Sequence, residues 1–130
     1  MKIIKKIVFN RIKKKSDSEY NYLELVPVRN YEHKINDDGK IDVLVPRFTD
    51  KFFGRFLQPK LKNPYIRANL DETGTKVWSL IDGKKDVRII IDETKEHFGN
   101  DLESPDERVI LFLKNLYRNG FIKFYQINKE

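Results

Sequence analysis

The chain has 130 residues, of which 39% are hydrophobic and 12% aromatic, enough for one domain with its own core. It contains no cysteine, which excludes disulfides, thiolate metal sites and cysteine nucleophiles. No apolar run approaches the ~20 residues of a membrane span, and the basic start lacks the pattern of a secretory signal, so we expect a cytoplasmic protein.

The formal net charge of +6 is distributed unevenly along the chain. Residues 1–15 carry seven bases and no acid, whereas residues 63–130 carry eleven bases and twelve acids. We therefore predict a basic N-terminal extension over residues 1–22 and a nearly neutral domain over residues 23–127. The extension could be a solvated tail, or it could contact an anionic membrane surface or an acidic partner.

Alternation of apolar and polar residues predicts a β-hairpin followed by a third strand. Tyr31, His33 and Ile35 alternate with two charged residues, and apolar side chains recur at every second position in residues 41–45. Between them, Gly39 supplies the positive φ of a tight turn. Pro46 ends the second strand because it cannot donate to a ladder. Residues 65–70 alternate again and predict the third strand.

An aromatic and basic segment, residues 47–62, lies between the second and third strands. Its phenylalanines fall at helical spacing, which predicts a short amphipathic helix or an ordered loop. These rings could face either the core or a partner.

Helical spacing of apolar residues predicts three helices after the third strand. Their N-caps are predicted at Asp71, Asp86 and Ser104, the last within a capping box, and their ends at Gly83, Gly99 and Gly120. Residues 121–127 are predicted to form a closing strand. The order predicts an α+β, winged-helix-like domain: an N-terminal three-stranded antiparallel sheet, a three-helix bundle and a short C-terminal strand.

One stretch of sequence carries a family resemblance. It reads Leu70-Asp71-Glu72-Thr73-Gly74, then Val77-Trp78, then Ile81-Asp82-Gly83-Lys84. With residues 98–122 in the same order and spacing, it resembles the PqqD family, and the similarity extends over residues 25–124. Asp86 stands where that family usually has threonine, and the aromatic-basic segment and the basic start also depart from the family pattern. The change at Asp86 is expected to be harmless, whereas the aromatic-basic segment and the basic start leave the cognate partner open.

The resemblance implies a non-catalytic peptide chaperone. Such modules bind the leader of a ribosomally made precursor peptide as an added β-strand, between the third strand and the third helix. They present it to a modifying enzyme, often a radical S-adenosylmethionine enzyme. The implied peptide-binding residues of this chain are Tyr65, Ile66, Arg67, Ala68 and Asn69 on the strand and Ile110, Leu111 and Lys114 on the helix. No catalytic residue, metal ligand or cofactor is implied.

The residues themselves agree with a binding role. The third helix has a wider apolar arc than one core requires, since Leu111 lies opposite its main stripe, although a large core with one stray leucine would also account for this. The two histidines, His33 and His97, are predicted to pack or to face solvent, and Trp78 is predicted to lie in the core. No pair of residues has the pattern of an acid–base dyad.

A winged-helix DNA-binding protein and a general protein-interaction module are the alternatives. Arg108, Lys114, Asn115 and Arg118 could face phosphates and bases. Against nucleic acid, residues 63–130 have no excess of positive charge, and Asp106 and Glu107 begin the helix that would meet the phosphate backbone.

Overall fold

The computed structural model describes residues 20–47 and 64–128. Its strands and helices are β1 (Pro27–Arg29), β2 (His33–Ile35), β3 (Ile41–Pro46), β4 (Tyr65–Asn69), α1 (Glu72–Leu80), α2 (Val87–Phe98), α3 (Pro105–Arg118), β5 (Ile122–Phe124) and α4 (Tyr125–Asn128). A 3-10 turn over Tyr22–Glu24 precedes β1. Most of the predicted basic extension and nearly all of the aromatic-basic segment lie outside the described residues.

The predicted three-stranded antiparallel sheet is confirmed, with strand order β2-β3-β4. The hairpin closes over a three-residue loop, in which the Asn36 amide donates to the Lys40 carbonyl at 2.7 Å. Gly39 has the predicted positive φ, at 78°. A glycine in this position is typical of three-residue hairpin loops.

The three predicted helices are also confirmed, although the first ends at Leu80, before the predicted Gly83. Two of the three predicted side-chain caps are confirmed. Asp71 Oδ1 accepts from the Gly74 amide at 2.7 Å, and Asp86 Oδ1 accepts from the Ile89 amide at 2.9 Å. The capping box at Ser104 was a wrong prediction, because Ser104 has a φ of 47° and its side chain makes no capping bond. A capping hydroxyl needs an extended backbone to reach the first-turn amides, and a left-handed residue does not provide it.

The C-terminal strand is shorter than predicted and has a partner that the sequence analysis missed. Residues 121–127 do not form one strand: β5 has three residues, paired antiparallel with β1, and the chain then turns into α4. The Tyr125 amide donates to the Val26 carbonyl at 2.8 Å, and the Gln126 side chain bonds the Val26 amide at 3.0 Å. These bonds continue the contact between the two segments just before the start of β1 and just after the end of β5.

The core lies between the sheets and the helices, and Trp78 is fully buried within it, as predicted. The Trp78 indole N–H donates to His33 Nδ1 at 3.2 Å, and its carbonyl accepts from Arg29 Nη2 at 2.7 Å. One α1 residue thus contacts a strand of each sheet. Within the described ranges, no helix is long and apolar enough to cross a membrane.

Candidate functional site

The outer edge of β4 is the first part of the candidate site. Two main-chain bonds set its pairing with β3: the Leu70 amide donates to the Ile41 carbonyl at 2.9 Å, and the Arg47 amide donates to the Pro64 carbonyl at 3.1 Å. Hydrogen-bonded pairs alternate along an antiparallel ladder. With the register of Val43 opposite Ala68, the main-chain groups of residues 66 and 68 face β3, and those of residues 65, 67 and 69 face away from it.

This outward edge has no strand beside it in the part of the chain that the structure describes, where β4 pairs only with β3. The strand is also well exposed: Tyr65 keeps 43% of its surface and Ile66 keeps 51%. Donors and acceptors on an open strand edge are a template for pairing with another extended chain.

The two faces of β4 differ in chemistry. Ile66 and Ala68 share one face, on which Ala68 lies opposite the fully buried Val43 and packs against the core. Arg67 and Asn69 share the other face. A peptide strand added beside β4 would therefore have the exposed apolar side chain of Ile66 on one face of the sheet and polar side chains on the other face.

Asp42 holds the polar side chains of β4 in place. Its carboxylate accepts from Asn69 Nδ2 at 2.6 Å and from Asn36 Nδ2 at 2.9 Å, and Arg67 Nη1 lies 3.5 Å away. The Asn69 and Asn36 bonds, with a smaller contribution from Arg67, lower the pKa of Asp42. Because this network joins β4 to β3 through side chains, the outward main-chain amides and carbonyls of β4 take no part in it.

The third helix contributes the second part of the site. Leu111 is 61% exposed, and Ile110 is partly buried against the core. Phe112 lies over α1, since a Cβ added to Gly74 would come within 3.1 Å of its ring. Gly74 lies in α1, five residues after the end of β4. Its contact with Phe112 therefore packs the middle of α3 against the helix that follows the strand.

Lys114 is the third predicted helix residue. Its ammonium lies 5.4 Å from the centre of the Tyr22 ring, in the 3-10 turn that precedes β1. Positions 110 and 114 are about 40° apart on a helix and positions 111 and 114 about 60° apart, so Ile110, Leu111 and Lys114 share one side of α3. The contact with Tyr22 shows that this side of the helix extends towards the 3-10 turn.

The residues considered for other chemistry make structural contacts. Burial, followed by the nearby Arg29 charge, lowers the pKa of His33, and Glu32 opposes this effect. The His97 ring packs edge-on against Phe98 at 4.7 Å. Across residues 20–47 and 64–128, no group of three acidic, histidine or cysteine side chains is placed to hold a metal ion.

Two helix residues weighed for phosphate and base contact already have partners within the protein. Arg118 Nη1 donates to Asn115 Oδ1 at 3.1 Å. Asp106, in the first turn of the same helix, pairs with Lys95 at 3.3 Å.

One part of the chain matches a known protein family. Residues 65–122 match the family model described as Coenzyme PQQ synthesis protein D (PqqD). The resemblance to the PqqD family is confirmed over these residues. No curated protein and no solved structure matches the chain.

The PqqD match begins at the first residue of β4 and ends at the first residue of β5. It contains both parts of the candidate site and all three long helices. The hairpin and β1 lie outside it, so the match is narrower than the resemblance over residues 25–124. The open edge of β4 therefore lies within the segment that matches the PqqD family.

Proposed function

We propose that this chain is a non-catalytic peptide-binding chaperone that takes the leader of a ribosomally made precursor peptide as an added strand on β4. PqqD proteins act as leader-binding chaperones for peptide-modifying enzymes, and the matched segment includes the strand and the helix that this role requires. A radical S-adenosylmethionine enzyme is the partner that the family implies.

The open edge of β4 is the observation that carries the proposal. Residues 65, 67 and 69 direct their amides and carbonyls away from β3, so a peptide could bond to alternate residues in either orientation. In this mode the main-chain bonds supply much of the affinity, and neighbouring apolar surface supplies specificity. Ile66 and Leu111 offer such surface.

Rigid positioning of β4 also supports this role. The Asp42 network fixes the strand from its polar face, and the contact between Phe112 and Gly74 fixes α1 against α3. An edge that is already ordered loses little conformational entropy when a peptide binds.

A pair of substitutions at Arg67 tests the proposal. Both Arg67→Ala and Arg67→Pro remove the ion pair with Asp42, but only proline also removes the outward amide. Proline is compatible with an edge strand whose amide faces away from its neighbour. The probe is a synthetic precursor peptide, taken from a short reading frame if one is found beside the gene for this chain, and binding is measured by calorimetry.

We expect proline to weaken peptide binding about tenfold or more relative to alanine, because a peptide carbonyl loses its donor. Alanine should weaken it by only about two- to threefold relative to the unmodified chain, as for an exposed ion pair. Equal affinities for the alanine and proline variants, with both folded by their amide spectra, would contradict binding at this edge.

A further inference from the structure

A cavity of about 540 Å³ lies on the flank of α3 that carries Lys114. Its walls are rings and aliphatic side chains from the 3-10 turn, α3, β5 and α4, and two cations stand among them. Tyr20, Tyr22, Tyr117 and Phe124 supply the rings, and Lys114 and Arg118 supply the cations. Its size falls within the range of small-molecule sites.

The walls of this cavity are held in place without a ligand. The Phe124 ring packs at 4.9 Å against Tyr117 and edge-on at 5.5 Å against Tyr22. Gln126 links α4 to the 3-10 turn, since its Nε2 donates to the Glu24 carbonyl at 2.9 Å. The chain's two described ends are therefore joined around the cavity, and the space between them is preformed.

The charged side chains that line the cavity indicate which kind of ligand it would bind. No acidic side chain lines it among the residues that the structure describes. The Lys114 ammonium lies over the Tyr22 ring, and Arg118 bonds only the neutral Asn115 in the contacts seen here.

We propose that this cavity is a second binding site, for a small aromatic carboxylate whose ring lies among the tyrosines and whose carboxylate pairs with Lys114 and Arg118. Aromatic walls favour a flat ring through offset and edge-to-face contacts. Cations at the rim favour an anion over its neutral isostere. The site does not depend on peptide binding at β4.

Indole-3-acetate and its neutral isostere indole-3-acetamide test this site in the full-length chain by amide chemical-shift titration. We expect the acid to shift the amides of Tyr22, Tyr117 and Phe124 with a Kd on the order of 1 mM, as for a ligand of this size. The amide should bind about two- to fivefold more weakly, since pairs at an exposed rim are weak. The difference should shrink as salt is added.

Arg118 provides the variants, because Lys114 is also among the residues expected to contact the peptide. Arg118→Met should reduce the preference for the acid, and Arg118→Lys should retain it. Equal binding of the two probes, or shifts on β4 in place of the cavity, would overturn the proposal.

Discussion

Trp78 shows how much one residue determines in this fold. Its indole N–H and its carbonyl are bonded by His33 of β2 and Arg29 of β1, and the Arg29 guanidinium also lies 5.5 Å from the ring centre. Sequence spacing alone predicts that Trp78 is buried. It does not reveal the two partners, because they lie on strands 49 and 45 residues away.

The bond between Trp78 and His33 predicts a dependence of stability on pH. His33 Nδ1 can accept the indole proton only while it is unprotonated, and its pKa lies below the ordinary value of 6.5. The unfolded chain therefore binds a proton at His33 more readily than the folded chain does. Stability should fall as pH drops below about 6.5 towards the folded-state pKa, and return as pH rises.

Urea unfolding between pH 7 and pH 5 measures this effect. His33→Gln keeps an acceptor for the indole but cannot titrate, so it should flatten the slope of unfolding free energy against pH. His97→Gln is the matched control, because His97 is exposed and packs only at the end of α2. A slope that is the same in His33→Gln and in the unmodified chain would show that this bond does not set the dependence.

At the scale of elements, the starts of the three helices show what a local sequence motif can and cannot predict. Residue type and spacing predict the same capping role for Asp71, Asp86 and Ser104, and only the two aspartates perform it. Residue type and spacing define a capping box, whereas the backbone angle of the cap decides whether the bond forms. At Ser104 that angle depends on how the chain arrives from a second 3-10 turn, Gly99–Asp101, which no local motif encodes.

Alanine substitutions at two of these caps should have unequal effects. Asp86→Ala removes the bond to the Ile89 amide and should lower the free energy of unfolding by about 1 kcal/mol. Ser104→Ala removes no capping bond and should change it by less than about 0.5 kcal/mol. Urea denaturation of the two variants compares them directly. A cost at Ser104 equal to that at Asp86 would indicate a functioning capping box.

The strands show where sequence periodicity stops being informative. The hairpin was predictable because apolar residues alternate on both sides of a turn that contains glycine. Neither β1 nor β5 exceeds three residues, which is too short for a period of two to be recognised. Their pairing joins residues about 95 positions apart, and only the folded chain brings these together.

The two-stranded sheet of β1 and β5 holds the ends of the described domain together. Phe124, the last residue of β5, is 2% exposed and in contact with the rings of Tyr22 and Tyr117. Phe124→Ala should lower the free energy of unfolding by about 3–5 kcal/mol, because it leaves a cavity between these rings.

Tyr125→Ala is the neighbouring control for Phe124. This side chain is 58% exposed, so its removal should cost less than about 0.5 kcal/mol. Thermal and urea unfolding provide the comparison. A small loss at Phe124 would mean that the two-stranded sheet contributes little to the stability of the whole molecule.

The uneven charge of the whole chain predicts that nonspecific attraction and peptide recognition are separable. Deletion of residues 1–15 removes seven bases, and residues 63–130 have no excess of them. Salt-sensitive binding to DNA or to anionic vesicles should therefore fall sharply in the deletion, while peptide affinity persists. Binding to DNA that remains, with a steep salt dependence, would instead point to the helical domain.

The candidate site was only partly accessible to sequence reasoning. The strand over residues 65–69 and the exposed Leu111 follow from spacing and apolar content. Which amides of β4 face outward depends on its register with β3, and the direction of Lys114 depends on the position of Tyr22. Both are tertiary relations, so neither could be derived from local pattern.

Amide hydrogen exchange along β4, with and without the precursor peptide, tests the central claim most directly. In the free chain, the amides of Ile66 and Ala68 should exchange slowly, because they bond to β3, and that of Arg67 should exchange rapidly. Peptide should slow exchange at Tyr65, Arg67 and Asn69 and leave Ile66 and Ala68 unchanged, because an added strand bonds alternate residues. Protection confined to α1 and α2, with Arg67 still exchanging rapidly, would contradict strand addition at this edge.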